Sequence, residues 1–263
     1  MTLSGILLSV LSANQTRASY RPLELQSGND WHAEAPPFWL DNGTLARPSN
    51  VFQAPRGLSV VTITISDELK SRVPGLALGC VTAEVPSVAE HDEGWWREID
   101  SHLARLTAAY KADDIPALQR YRGSAEALLR RVLSGKAVYQ INNIVDVNNL
   151  VSLESFQPLG AYDLDQVRPP IQLRIGALGE TYKGIGKDLI NIESLPVFAD
   201  AGGAFGSPTS DSERAMIRAG SQRILMAIFS FAGAAKLDRW MAWAAGLLQR
   251  HCGATALESA IVA

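Results

Sequence analysis

The sequence predicts an α+β fold, because strand-like and helix-like segments are mixed along the chain without the regular β-α-β alternation of a doubly wound sheet. Hydrophobic residues make up 47% of the 263 residues and charged residues 19%, which supplies ample apolar material for a packed core and argues against disorder. We expect residues 51–235 to form one domain, preceded by an N-terminal extension over residues 1–50 and followed by a C-terminal helix and tail over residues 236–263.

The first predicted elements are two strands and two helices. Residues 58–65 are dense in β-branched side chains, and residues 76–83 follow a Pro-Gly turn, so we expect two strands that pair with each other. Large apolar side chains recur at helical spacing over residues 94–110 and predict an amphipathic helix. A second helix is predicted over residues 124–133, with Ser124 as its N-cap.

The second half of the chain continues the mixed pattern. Asp146 is the expected N-cap of a further helix with an apolar face. Residues 171–175 and 224–231 predict strands, and the Gly-, Pro- and Ser-rich residues 202–210 predict a loop between them. The apolar face that ends before Gly253 predicts a C-terminal packing helix.

Charge and composition exclude several classes of function. The formal net charge of −3 excludes a uniformly basic nucleic-acid binder, and no DNA partner is expected. The average conceals two regions, because residues 84–100 contain six acidic residues against Arg97 alone, whereas residues 118–136 contain five basic residues and one acid. The basic stretch is either a solvated helix face or a local site for a polyanion.

Metal, cofactor and membrane functions have no support in the sequence. Cys80 and Cys252 match no metal-ligand spacing and are expected to be buried free thiols. The four histidines are scattered, so we expect neither a metal site nor a cofactor. The apolar residues 3–11 are too short to span a bilayer and no cation precedes them, so we expect no membrane association and a cytoplasmic location.

One segment is unusually rich in polar side chains. Three asparagines and one aspartate follow Asn142 within eight residues of the chain, close to the predicted start of a helix. Amide and carboxylate groups at a helix start would bind a polar ligand through hydrogen bonds. The alternative is that these residues serve only as caps and turns.

The order of residues in this segment carries a resemblance to a known family. The runs Ile141-Asn-Asn-Ile-Val-Asp146-Val-Asn-Asn149 and Gln157-Pro-Leu-Gly160-Ala-Tyr162-Asp163-Leu-Asp165 resemble the core motif of the B3/B4 domain. That domain is the tRNA-editing module in the beta subunit of bacterial phenylalanyl-tRNA synthetase. Residues 173–180 and 198–200 resemble later landmarks of the same domain. The chain is therefore similar to a freestanding B3/B4 protein, without the synthetase's aminoacylation core.

The resemblance implies a partner and a set of site residues. The partner would be tRNA or aminoacyl-tRNA, and the reaction would be ester hydrolysis by water without a metal or a covalent nucleophile. The residues implied to bind substrate are Asn143, Asp146 and Asn149 on the floor of a pocket, Gly160 beside them, and Tyr162 and Asp163 at its rim. Those expected to contact the tRNA backbone are Arg122, Arg130 and Arg131. No catalytic residue is assigned.

Two departures from the family pattern leave the activity open. Gly160 stands where the synthetase domain has a histidine implicated in editing, and Ala227 aligns with a glutamate that reads the amino acid's hydroxyl. Gly160 would leave room for a different or larger substrate, in which case the protein is a trans-editing deacylase. The alternative is a non-catalytic module that binds tRNA or a small ligand such as an amino acid or nucleoside. Independently of that choice, residues 211–214 are expected to form either a loop that closes over the ligand or a solvated turn.

Overall fold

The fold was obtained as a computed structural model that describes residues 61–90, 93–109 and 123–263. The expected N-terminal extension over residues 1–50 lies outside the described residues. The helices are α1 (Asp67–Arg72), α2 (Glu93–Ala109), α3 (Ser124–Leu133), α4 (Asn143–Ser155) and α5 (Leu237–Cys252). The strands are β1 (Ile63–Ile65), β2 (Ala77–Glu84), β3 (Leu159–Asp163), β4 (Ile171–Ile175), β5 (Thr181–Lys183), β6 (Leu189–Asn191), β7 (Pro196–Asp200), β8 (Gly203–Gly206), β9 (Arg223–Ser230) and β10 (Thr255–Val262).

The strands form two four-stranded sheets and one short hairpin. The central sheet has the order β10-β2-β9-β3 and is antiparallel throughout. The second sheet has the order β1-β4-β7-β8, and within it β1 runs parallel to β4. Strands β5 and β6 pair with each other in a separate antiparallel hairpin. This mixture of helices with largely antiparallel sheets confirms the predicted α+β class.

The central sheet separates two hydrophobic cores. Along β9, Ile224, Met226 and Ile228 pack in the core that also contains the apolar faces of the helices, whereas Leu225 and Phe229 pack in the core between the two sheets. Successive side chains of a strand point to opposite faces, so β9 must be apolar on both. The continuous apolar run that predicted this strand reflects that double burial.

Several predicted elements agree closely with the structure, and one predicted pairing is wrong. Strand β4 and helix α3 have the predicted bounds, and α2 and β9 differ by one residue at each end. The strand expected over residues 76–83 is β2, but it pairs with β9 and β10 instead of the segment before it. Strand β1 pairs instead with β4 of the second sheet, where Ile63 lies opposite Ile171.

Three local expectations are also corrected. Ser124 is the first residue of α3 and Gly123 is its N-cap, because the chain is still extended at Gly123. The expected loop over residues 202–210 contains β8, since its glycines pair with β7. The expected C-terminal tail forms β10, which completes the central sheet by pairing with β2.

The cysteines are packed as predicted. Cys80 lies in β2 and Cys252 ends α5, and both are buried and free. Burial raises the pKa of each thiol to about 12, so the nucleophilic thiolate form is suppressed at neutral pH. Among the helices that the structure describes, none has the length and apolarity needed to cross a bilayer.

Candidate functional site

The polar run begins a helix, but with a different cap from the one expected. The Asn142 side chain accepts the backbone N–H of Val145 at 2.9 Å, so Asn142 is the N-cap of α4. Asp146 lies one turn inside the helix with 1% of its surface exposed, and its carboxylate accepts the N–H of Ile141 at 3.1 Å. The backbone is still extended at Asn142, as an N-cap requires, whereas Asp146 is already helical and its carboxylate instead holds the chain that enters the helix.

Asn143 joins three segments of the helical layer. Its side-chain oxygen accepts the N–H of Ala89 at 3.1 Å, and its side-chain nitrogen donates to the carbonyl of His251 at 3.4 Å. The side chain is buried, so these bonds fasten the segment before α2 and the end of α5 to the start of α4. Asn149, in contrast, is half-buried on the same helix.

Gly160 and Ala227 are neighbours on adjacent strands. Gly160 in β3 is the direct partner of Ala227 in β9. Ala227 belongs to the core between the two sheets, and so does Tyr162, two residues along β3 from Gly160. The two positions at which the sequence departs from the family pattern therefore lie side by side on the inner face of the central sheet.

The Tyr162 side chain occupies the space beside Gly160. A Cβ atom added to Gly160 would lie 2.1 Å from the Tyr162 hydroxyl oxygen, and one added to Gly206 of β8 would lie 2.4 Å from the Tyr162 ring. Both distances are far inside van der Waals contact, so the ring requires glycine at both positions. The expectation that Gly160 leaves room for a larger substrate is wrong for this conformation, because the protein's own tyrosine fills that room.

The ring is held by aromatic packing and one hydrogen bond. Tyr162 makes edge-to-face contacts with Phe198 and Phe205, with ring centroids 5.7 and 5.2 Å apart. Its hydroxyl donates to Asp211 Oδ1 at 2.8 Å. The residue is completely buried, not at a rim, and burial together with the Asp211 carboxylate raises the pKa of Tyr162 well above its usual value.

Asp211 is an unusual acid. Burial raises its pKa to about 7, while hydrogen bonds from the Tyr162 hydroxyl and the Ser207 N–H act in the opposite direction. The carboxyl group therefore exchanges its proton near neutral pH, where an ordinary aspartate is fully ionised. Sequence reasoning treated residues 211–214 as a closing loop or a solvated turn, and the structure shows instead that Asp211 is directed into the interior.

The loop before Asp211 is held by its own hydroxyl groups. The Ser207 hydroxyl accepts the N–H of Ser210 at 3.1 Å and donates to the Ser210 carbonyl at 2.7 Å. The Tyr182 hydroxyl also donates to that carbonyl. These bonds fix residues 207–211 over the Tyr162 hydroxyl, and we call Tyr162, Asp211 and this loop the Tyr162 site.

Ion pairs brace the neighbouring segments. Arg174 and Glu180 form a bidentate ion pair, with N–O distances of 2.8 and 2.7 Å. The bond from Arg174 lowers the pKa of Glu180, opposed by burial. Arg214 makes a similar pair with Asp200 at 3.0 and 2.8 Å. Among the described residues, no group of three or more histidine, cysteine, aspartate or glutamate side chains is arranged to hold a metal ion.

Asp163 has a local structural role. One carboxylate oxygen accepts the N–H of Asp165 at 2.9 Å, and the other accepts the hydroxyl of Ser221 at 2.6 Å. The side chain is buried, so it joins the end of β3 to the chain that enters β9 and does not form a rim. Its direct contact with a substrate remains a prediction.

The expected backbone-binding arginines already have partners within the protein. Arg130 donates to the buried carboxylate of Glu126 at 3.1 Å, and the Arg131 guanidinium lies 3.8 Å from the ring centre of Tyr139. Arg122 lies outside the described residues. Arg130→Ala would leave a buried acid without this partner, so a loss of RNA affinity in that variant would not separate contact from folding.

The structure does not gather the predicted pocket into one place. Asn143, Asp146 and Asn149 lie on α4, in the helical layer on one face of the central sheet. Gly160 and Tyr162 face the second sheet on the other side. The residues predicted to line one pocket therefore lie on opposite faces of the central sheet.

The amino-acid sequence matches a known domain family. The sequence model of the B3/4 domain matches residues 108–242, more than half of the chain. The chain belongs to the B3/4 domain family. The matched range contains the whole Tyr162 site, so this site lies within the B3/4 domain of the chain.

Individual relatives match a shorter stretch. Two beta subunits of phenylalanine–tRNA ligase, from Synechococcus sp. strains JA-3-3Ab and JA-2-3B'a(2-13), are 38% and 37% identical over 68 residues. Each match covers 23% of this chain and 8% of the ligase subunit, so the chain corresponds to a small part of those relatives. An N-terminal fragment of the phenylalanyl-tRNA synthetase beta subunit from Pyrococcus horikoshii aligns with 82% of this chain and 53% of that chain, at 12% identity and a TM-score of 0.45.

Steric coupling between Gly160 and Tyr162 gives the first test. Gly160→Ala should lower the free energy of unfolding by about 2 kcal/mol or more, since the new methyl overlaps the ring. Tyr162→Leu removes the ring atoms nearest to Gly160 but keeps an apolar side chain. In that background Gly160→Ala should cost at least about 1.5 kcal/mol less, measured by urea unfolding as a double-mutant cycle.

The matched control is Gly246→Ala in α5, where an added Cβ meets no atom within 4 Å. That substitution should be neutral or slightly stabilising, because alanine favours the helix. An equal cost of Gly160→Ala in both backgrounds would show that the Tyr162 ring does not occupy this space.

The raised pKa of Asp211 predicts a pH-dependent stability. The folded-state pKa of about 7 exceeds the ordinary value of 3.8, so the stabilisation is fully present below about pH 4 and is lost as pH rises to about 7. The loss should reach up to about 4 kcal/mol relative to Asp211→Asn, which has no proton to release. Unfolding by urea from pH 4 to 8, plotted as wild type minus variant, measures it.

Tyr162→Phe provides the complementary variant. It removes the hydroxyl whose hydrogen bond lowers the pKa of Asp211, so the loss of stability should extend to higher pH than in wild type. A difference curve that stays flat between pH 4 and 8 would contradict the burial of the Asp211 carboxyl group.

Proposed function

We propose that this protein binds tRNA and hydrolyses mischarged aminoacyl-tRNA in trans. The observation that supports this most is the B3/4 match over residues 108–242. The 68-residue similarity to beta subunits of phenylalanine–tRNA ligase, whose name specifies phenylalanine and tRNA, supports it further. Within that match, the two positions at which related editing domains carry polar groups are direct neighbours here, Gly160 and Ala227. Such an activity would be exercised in the cytoplasm, where charged tRNA is found.

The reaction needs little from the protein besides position and a proton carrier. The oxygen of a water molecule attacks the ester carbonyl carbon, and the bond between that carbon and the ribose oxygen breaks. One proton of the water ends on the ribose hydroxyl, and the amino acid leaves as its carboxylate with the second proton released. Fixed hydrogen-bond donors and a group that exchanges protons near pH 7 are the features that would accelerate these steps.

Asp211 is the candidate for that proton carrier. Its carboxyl group bonds to the Tyr162 hydroxyl at 2.8 Å, and that hydroxyl lies where a side chain at position 160 would start. A pKa of about 7 gives the carboxylate enough basicity to take a proton while remaining ionised in half of the molecules at neutral pH. For the substrate ester to reach Asp211, the loop over residues 207–211 must move, because the Tyr162 ring is completely buried.

That burial is also the observation that favours a second candidate function. A domain whose site is filled by its own tyrosine would bind tRNA without hydrolysing the ester. Of the three substrate contacts expected on α4, Asn143 and Asp146 are buried, so a ligand on the helical layer would contact the half-buried Asn149. The two functions share a partner and differ in chemistry, so one assay separates them.

A panel of mischarged tRNAs distinguishes the two functions. The protein should release the amino acid from at least one of them about a hundredfold faster than the spontaneous rate, the scale that general acid–base assistance supplies. The measurement is loss of acid-precipitable radiolabelled amino acid over time at pH 7.5. Binding of the same tRNAs with no release above the spontaneous rate would reject the deacylase and leave the binding module.

If hydrolysis is found, its pH dependence tests the role of Asp211. The rate at low substrate should rise with pH and level off above about 7, as the carboxyl group loses its proton. Asp211→Asn should be slower and should lack this rise, whereas Asp188→Asn, on the exposed β5–β6 turn, should behave as wild type. A wild-type pH profile retained by Asp211→Asn would remove Asp211 from the mechanism.

A further inference from the structure

The segment between α3 and α4 carries an unusual exposed surface. Tyr139 and Ile141 are 53% and 55% exposed, although both are large apolar side chains. Arg131 from the last turn of α3 contacts Tyr139, and Lys136 in the segment that connects α3 to Tyr139 is exposed. We call these four residues the Tyr139 surface.

Arg131 fixes the ring of Tyr139 in one orientation. Its guanidinium carbon lies 3.8 Å from the ring centre, and its Nη1 donates to the Tyr139 hydroxyl at 3.0 Å. Its Nε donates to the carbonyl of Ala137, which anchors the arginine in turn. One face of the ring is therefore covered by a cation, so the exposed half of the residue must come from the opposite face and the edges. A ring ordered in advance loses little conformational entropy when a ligand stacks on it.

The charges along this segment have one sign at the surface. From residue 123 to residue 141 the acidic residue is Glu126, which is 1% exposed and bonded to Arg130. Arg131 is half-buried against the Tyr139 ring, and the same segment carries the exposed cation Lys136 and the exposed Ile141. Cations next to an open aromatic face suit a polyanion whose bases are unstacked, and single-stranded RNA has both properties.

We propose that the Tyr139 surface binds single-stranded RNA, with a base stacked on the open face of Tyr139 and phosphates near Arg131 and Lys136. The proposal refines the tRNA partner of the proposed function, because the single-stranded end of a tRNA offers such bases. It does not depend on ester hydrolysis, and a duplex, whose bases are already stacked, should bind more weakly.

Fluorescence anisotropy with a labelled single-stranded RNA of about ten nucleotides tests the surface. Tyr139→Ala should weaken binding about tenfold, the usual loss when a stacking aromatic is removed. Tyr139→Phe keeps the ring and should bind within about threefold of wild type. Lys136→Ala should weaken binding and lower the salt slope of log affinity by about one. Leu189→Ala, at an exposed leucine on the distant β6, is the matched control and should bind as wild type.

Thermal melts confirm that each variant is folded before its affinity is compared. The proposal is rejected if wild type and Tyr139→Ala bind the single strand with equal affinity, or if wild type does not bind it. If full-length tRNA binds Tyr139→Ala as tightly as it binds wild type, the proposed Tyr139 surface is wrong, although tRNA can still be the partner. Binding of the single strand that depends on Tyr139, in a protein that hydrolyses no ester, would support the surface and reject only the deacylase.

Discussion

The packing of Tyr162 between the two sheets is the constraint on which the site depends. The ring fits only because position 160 on its own strand and position 206 on the opposite sheet are both glycine. Phe198 and Phe205 then enclose its edges, and Asp211 binds its hydroxyl. A hydroxyl buried among phenylalanines needs a partner, so the position of the Asp211 loop follows from the position of the ring.

This packing also changes the meaning of the departures from the family pattern. Read from the sequence, Gly160 and Ala227 suggest a site that has lost two polar side chains and gained space. In the structure the Tyr162 hydroxyl occupies the space beside Gly160, and the Asp211 carboxyl group accepts its hydrogen bond. The Tyr162 site therefore has one polar contact, between the Tyr162 hydroxyl and Asp211, and the raised pKa of Asp211 lets this acid exchange its proton near neutral pH. That arrangement is compatible with ester hydrolysis after the covering loop moves, and with a closed binding domain if it does not.

How far the sequence predicts this structure depends on how local each determinant is. Strand β4 and helix α3 were predicted with their observed bounds, because periodicity and composition act within each segment. The sequence predicts Asp146 as the cap, whereas the structure has Asn142. Both residues lie near the helix start, and the sequence does not show that the backbone is extended at Asn142 and already helical at Asp146. The sequence does not indicate that Asp211 is buried, because its hydrogen-bond partner Tyr162 is 49 residues away in the chain. The occupied space beside Gly160 was equally hidden, since the sequence shows that a side chain is absent and not what replaces it.

The most direct measurement of this account is the environment of Tyr162 by nuclear magnetic resonance. In protein with isotope-labelled tyrosine and glycine, the Tyr162 ring protons should show nuclear Overhauser effects to the α protons of both Gly160 and Gly206. The hydroxyl proton should exchange slowly with water, because it is buried and bonded to Asp211. A Tyr162 hydroxyl that exchanges rapidly, together with the absence of both glycine contacts, would contradict the claim that this side chain fills the site.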